Sequence, residues 1–202
     1  MVLTTYLSSA LFLLAASFIV FRIVVRRDYQ RIGRLSPISA FLEMLLCMLY
    51  FSFPYIYSPP GWAAFWSAET QVGETLKIIG SLTVVAGALT AFPAMAALGF
   101  RRSFGQTANS LRQNGFYRVT RNPQLVGGAL MPVGIVVLFP SWYSLGWLVI
   151  YAAIFHMMVL TEEEHLRSIY GEEYERYCKR VPRYLGFPRS SRYKPSNQVH
   201  NS

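Results

Sequence analysis

The chain has 202 residues and a net charge of +9, and 53% of its residues are hydrophobic against only 14% charged. Its mean hydropathy is +0.30. Soluble domains carry roughly 25% charged residues, so this composition excludes an ordinary one. The deficit is concentrated in Met1–Phe21, Met44–Ala68, Ile78–Phe100 and Asn122–Thr161, none of which holds a Lys, Arg, Asp or Glu. The basic residues edge these apolar runs, which argues against a nucleic-acid partner.

Each of the first three runs is long enough for one membrane crossing at ~20 residues, and the fourth is long enough for two. The expectation is an all-α integral membrane protein with about five transmembrane helices, forming a single domain over 1–188. Span one is predicted from Leu3 to about Val25, stopping at Arg26-Arg27-Asp28. No basic region precedes it, so it reads as a retained span rather than a cleaved signal. Ser36-Pro37 is a helix start. Span two runs from there to about Tyr57 and carries Glu43 near its inner end. An isolated carboxylate in a span marks function by default; so close to Pro37 it can also reach the interface, and both readings stand. Cys47 and Cys178 belong to different environments, so no disulfide is expected, and free cysteines behave as small hydrophobes.

Ser58-Pro59-Pro60-Gly61 supplies outer turn chemistry, and Trp62, Phe65 and Trp66 form an interfacial aromatic belt. Span three covers about Leu76 to Leu98. Its Gly80, Ser81, Ala86, Gly87 and Ala88 suit close helix packing, and Pro93 should kink it. A polar connection, Arg101 to Thr120, follows. Pro123 then opens a helix behind Asn122, a residue type favoured as a cap. Gly127 and Gly128 invite the approach of either another helix or a ligand. Pro140-Ser141-Trp142 marks the outer turn, and the return helix is predicted to end near Leu160. From Glu162 to Arg180, Leu166, Ile169, Tyr170, Tyr174, Tyr177 and Val181 recur at helical spacing, giving an amphipathic C-terminal helix at the membrane interface that Gly171 divides. The polar tail, 189–202, is expected to be mobile.

With the N-terminus outside, every Lys and Arg except Lys77 falls on the inner side, as the positive-inside rule demands. The C-terminus is then cytosolic, in a bacterial inner membrane or an endoplasmic reticulum membrane, and the basic face favours anionic headgroups of the bilayer. His156, His165 and His200 form no zinc-binding pattern, so no metal is expected.

Two crossings within Asn122–Thr161 form a hairpin, which returns its two ends to one membrane face. There Arg118, Arg121 and Asn122 should meet Glu162-Glu163-Glu164. Three consecutive carboxylates repel one another, so some must be solvated or bind a cation.

These two clusters carry a resemblance. Gly115-Phe116-Tyr117, preceded by Leu111, then Arg121-Asn122-Pro123-Gln124-Leu125-Val126-Gly127, then an apolar hairpin, then Glu162-Glu163, Leu166, Tyr170-Gly171, Tyr174, Tyr177 and Val181-Pro182 together resemble the isoprenylcysteine carboxyl methyltransferase superfamily, which includes membrane phospholipid N-methyltransferases. The likeness covers Leu111 to Pro182 and rests on joint spacing rather than on any one piece. It implies a five-helix membrane enzyme, with a catalytic core of about 99–188, that binds S-adenosylmethionine at the cytosolic face. By position, Leu111, Tyr117, Arg121, Asn122, Pro123, Gln124 and Leu125 would line the cofactor pocket, and Glu162 and Glu163 would meet the cofactor from the other end of the hairpin. The reaction implied is methyl transfer to a lipophilic small-molecule acceptor, with no dedicated base named. Three positions depart from the pattern: Asn122 replaces the usual histidine, Leu125 the usual tyrosine, and Met158 the arginine that engages substrate in the prenylcysteine enzymes. The acceptor therefore stays open among a lipid amine, a thiol and a carboxylate. Sterol reductases, which use NADPH, share part of the same motif set and form the rival reading. A non-catalytic protein on the same scaffold is the third.

Overall fold

The computed structural model describes residues 2–53, 72–98, 111 and 113–186. The Ser58–Gly61 turn, the Trp62, Phe65 and Trp66 belt, the stretch 99–110, Arg112 and the tail from 187 onward lie outside them. Among the described residues the chain is all helical, with no strand. Its helices are α1 (Val2–Phe18), α2 (Arg26–Ile32), α3 (Pro37–Ser52), α4 (Glu74–Leu98), α5 (Pro123–Leu138) and α6 (Trp142–Arg180), with a π-helical segment Ile19–Val25 joining α1 to α2 and a 3-10 turn at Gly115–Arg118.

Three of these are long and apolar enough to cross a membrane: Leu3–Ile32, Glu74–Ala94 and Trp142–Arg180. Two shorter apolar helices, α3 and α5, have 16 residues each. The large apolar side chains left outside the packed core, among them Leu7, Leu11, Phe12, Leu82, Leu89, Phe92 and Val149, need an apolar surrounding.

The capping chemistry accounts for several boundaries. Ser36 caps α3, its hydroxyl accepting from the Ser39 N–H at 3.3 Å, with Pro37 in the first turn. Asp28 reinforces that start by accepting from the Ser36 N–H at 2.8 Å and the Ser39 hydroxyl at 2.6 Å. Ser141 and Ser144 form a reciprocal capping box at the head of α6, satisfying N–H groups that a helix start leaves open. Pro93 lies inside α4, and the helix runs on through it.

Two boundaries differ from the sequence expectation. The first helix does not stop at Arg26 but continues to Ile32. Arg22 and Arg26 both reach Glu164 on α6 at 2.8 Å, so their charges are met without ending the helix. Nor does the return helix end near Leu160. It carries the three glutamates inside it and bends only at Gly171, where φ is +48° and ψ is −121°. Glycine adopts this conformation without the Cβ clash that other residues suffer.

Helix directions alternate. Tyr6 at the start of α1 donates to the Tyr143 carbonyl at the start of α6, while Arg22 meets Thr161 and Glu164 further on; α1 and α6 are parallel. Tyr50 near the end of α3 donates to the Trp147 carbonyl at 3.2 Å and stacks on its ring, so α3 runs against α6. Helices α4 and α5 pack most extensively, with Gly80 against Leu138 and Gly87 against Gly127, again antiparallel. Successive long helices therefore go back and forth, and the start of α3, the start of α5 and the later part of α6 gather at one end of the bundle. The main core lies between α1, α3 and α6.

Candidate functional site

That end of the bundle is where the two polar clusters meet. Arg121 Nη1 lies 2.9 Å from Glu163 Oε1, so the hairpin does join Arg121 to the acidic run. Glu163 is nearly fully buried and bears most of the connections. Arg183 grips it through both oxygens, Nε to Oε1 at 3.0 Å and Nη2 to Oε2 at 2.7 Å. Arg167 stands 3.5 Å away on the same helix. A fork matched to two carboxylate oxygens is a strong, directional contact, and hydrogen bonding to Glu163 raises the Arg183 pKa further above the ordinary arginine value.

The three glutamates resolve their repulsion by pointing apart. Successive helical residues are about 100° apart around the axis, so each meets different surroundings. Glu163 faces Arg121 and Arg183. Glu164 faces the π-helical segment and the start of α2, held by Arg22 and Arg26. Glu162, partly buried, makes no hydrogen bond or ion pair with any described residue. It faces α3, where the one charged neighbour acting on Glu43 is Glu162 itself.

The remaining expected residues assemble around the hairpin's opening. Gly115, with φ +63°, begins the turn that buries Tyr117. The Tyr117 hydroxyl donates to Gln124 Oε1 at 3.1 Å, and its carbonyl accepts from the Tyr177 hydroxyl at 2.8 Å. Leu111 packs with Tyr174, Tyr177 and Val181 in a satellite cluster. Pro123 and Leu125 are buried, and the Leu125 carbonyl accepts from the Tyr151 hydroxyl at 2.9 Å. Asn122 stands at the helix start, but its side chain does not cap it. Its amide instead donates to the Arg183 carbonyl at 2.9 Å, because the returning segment Val181–Gly186 lies across the start of α5. The Arg121 N–H to the Pro182 carbonyl at 2.9 Å and the Thr120 hydroxyl to the Arg183 carbonyl at 3.2 Å complete that lacing.

The structure thus brings Tyr117, Arg121, Asn122, Gln124 and Glu163 into one network, with Pro123 and Leu125 as its buried floor. Glu162 sits beside the network without joining it. Residues not singled out from sequence also enter. Arg183 follows Val181-Pro182 directly, one position past the recognised pattern. Cys178, read as a small hydrophobe, accepts from Arg121 Nη1 at 2.7 Å. His156 Nδ1 and the Tyr184 hydroxyl are 2.8 Å apart; burial raises the Tyr184 pKa. Glu43 is buried in the bundle, with 7% exposure. In the adjacent pair near the start of α5, Gly127 abuts the α4 backbone and Gly128 makes room for the Tyr151 hydroxyl, so both serve packing.

The arrangement bears on what it can hold. Glu163 takes up Arg121 and Arg183, while Glu162 has no cationic partner among the described residues. Such a site fits a cationic ligand.

The phospholipid methyltransferase family model matches residues 76–173. This match is consistent with the resemblance drawn from the two clusters. No curated protein and no solved structure matches the chain.

Proposed function

With residues 76–173 matching the phospholipid methyltransferase family model, we propose that this chain is an S-adenosylmethionine-dependent methyltransferase that methylates a lipophilic acceptor. The single observation that carries the reading is the contrast at the end of the hairpin. Glu163 closes it by pairing with Arg121 and Arg183, while the adjacent Glu162 has no ion pair among the described residues and is left to receive a cation.

In this reading Tyr117, Arg121, Asn122, Pro123, Gln124, Leu125 and Leu111 shape the cofactor pocket from the α5 side, and Glu162 meets its positive charge from α6. Glu163 acts as the clasp that sets their spacing. When bound, the cofactor supplies an electrophilic methyl group on a sulfonium. The chain's task is to hold donor and acceptor in line and keep water out. Glu163 is held by Arg121 and by both nitrogens of the Arg183 fork, so this part of the network arrives preorganised, while Arg121 Nε stays buried without a hydrogen-bond partner among the described residues. Helices α3 and α5, at 16 residues, run about 24 Å, short of the ~30 Å hydrocarbon core. A site at their inner ends is then within reach of an acceptor dissolved in the bilayer. The inner end faces the cytosol in this reading, with the N-terminus outside. Anionic headgroups line the basic face, and nucleic acid is not a partner. The acceptor is a lipid amine, a thiol or a carboxylate. Met158 offers no cation to the last of these.

The test is ligand binding to the detergent-purified full chain, with S-adenosylmethionine and NADPH in parallel and Glu162→Gln beside the wild type. The expected result is binding of S-adenosylmethionine that weakens in the variant. Binding of NADPH alone would overturn the proposal in favour of the reductase reading. Binding of neither by folded protein favours a scaffold without catalysis.

A further inference from the structure

Helix α3 lies outside residues 76–173, yet it delivers the least expected side chain of the bundle. Glu43 is 7% exposed and makes no hydrogen bond or ion pair with any described residue. An ionised carboxylate in such surroundings is costly unless something compensates it. The bundle does not lack compensating groups, since Glu163 and Glu164 a helix away engage five arginines between them. None of those arginines is turned to Glu43. The charged group that acts on it is the other unpaired carboxylate, Glu162, and both act on the phenol of Tyr29.

The fold brings these groups together by register. Tyr50 meets Trp147, and α3 runs against α6, so the start of α3, where Glu43 stands, comes level with the inner part of α6. Leu42, Leu46 and Met158 pack in the same core cluster and make the wall apolar. Tyr29, its ring stacked on His165 at 3.9 Å, closes the α2 side. Two carboxyl groups with no cationic partner among the described residues, walled by apolar side chains and an aromatic ring, are suited to an onium ion, which favours their ionised form. A sulfonium carries its charge on a carbon-substituted sulfur with no N–H to donate, so it needs compensating charge and apolar contact rather than hydrogen bonds. Aromatic faces add to the attraction of such cations.

We propose that Glu43 and Glu162, carried by α3 and α6, together form the counter-charge to the sulfonium of S-adenosylmethionine, with Glu43 a cofactor-binding residue contributed from outside the matched family segment. This rests on the methyltransferase reading above and adds a residue and a role to it.

The experiment compares two nucleosides that differ at the sulfur. S-adenosylmethionine carries the positive sulfonium; S-adenosylhomocysteine keeps the adenosine and amino-acid parts with a neutral thioether. Dissociation constants for both are measured on wild type, Glu43→Gln and Glu162→Gln of the purified full chain. Glu43→Gln should weaken S-adenosylmethionine about tenfold while changing S-adenosylhomocysteine less than about twofold, the selectivity expected from one lost charge contact. An unchanged ratio between the two ligands in Glu43→Gln overturns the proposal. So does an equal loss of both in Glu43→Gln and Glu43→Asp, which marks Glu43 as structural only. If wild type binds neither nucleoside, the methyltransferase reading fails and this inference with it. If wild type binds both and only the ratio fails to move, the reading stands and Glu43 alone is wrongly assigned.

Discussion

Arg121 Nη1 and Glu163 Oε1 stand 2.9 Å apart with the whole α5–α6 hairpin between them in the chain. The pair converts a sequence-distant basic cluster and acidic cluster into one wall. Its side chains are 10% and 3% exposed, so its loss leaves charge behind in a place where water cannot fully replace the partner.

Arg121→Ala should therefore lower stability on the order of 3 kcal/mol, the range for breaking one side of a buried pair, with Arg183 limiting the damage by keeping hold of both Glu163 oxygens. Arg121→Lys should cost less, because the charge remains and only the reach to Cys178 is forfeited. Thermal unfolding in detergent ranks the two. Equal midpoints for Arg121→Ala and wild type would show the pair to be energetically idle.

Neighbouring glutamates should behave in opposite ways. Glu163→Gln weakens contacts to Arg121, Arg167 and Arg183 together and should cost on the order of 3 kcal/mol. Glu162→Gln removes a carboxylate with no described partner, and without ligand it should leave the unfolding midpoint unchanged or slightly higher. The decisive comparison is the ligand-free melting curve of each variant. A Glu162→Gln protein that melts as early as Glu163→Gln would contradict the separation of clasp from binding group.

The α4–α5 contact has no room for side chains at its glycines. A Cβ on Gly127 would come within 2.6 Å of the Ala91 nitrogen and 2.9 Å of the Gly87 oxygen. These are backbone atoms, so the helices must separate rather than a side chain turn aside. Gly127→Leu should destabilise by about 1–3 kcal/mol and shift the start of α5 with it. Protease resistance and melting temperature both report this, and unchanged values would mean that the two helices do not pack so closely.

At Gly128 the obstacle is the tip of a side chain, the Tyr151 hydroxyl, which also donates to the Leu125 carbonyl at 2.9 Å. Tyr151→Phe alone should cost about 1 kcal/mol for the lost buried hydrogen bond. In a Gly128→Ala background the same change should cost less, or even stabilise, because it removes the clash. A double-mutant cycle measures that coupling; strict additivity would argue against the contact.

Composition and hydrophobic runs alone determined the all-α membrane class, the hairpin, and the meeting of Arg121 with the acidic run. Those follow from one-dimensional quantities: run length against bilayer thickness, and the return of a two-span segment to its starting side. Capping residues at Ser36 and Ser141 were equally legible, since a cap acts within three or four residues. What each glutamate does was not legible, because residues adjacent in sequence point about 100° apart on a helix and their partners come from the π-helical segment, α2, the turn before α5 and the segment after α6. Nor did sequence reveal that Glu43 lies buried. Glu43 stands alone in its segment and Glu162 within a run of three acids, and only the antiparallel register of α3 on α6, set by Tyr50 against Trp147, brings the start of α3 level with the inner part of α6.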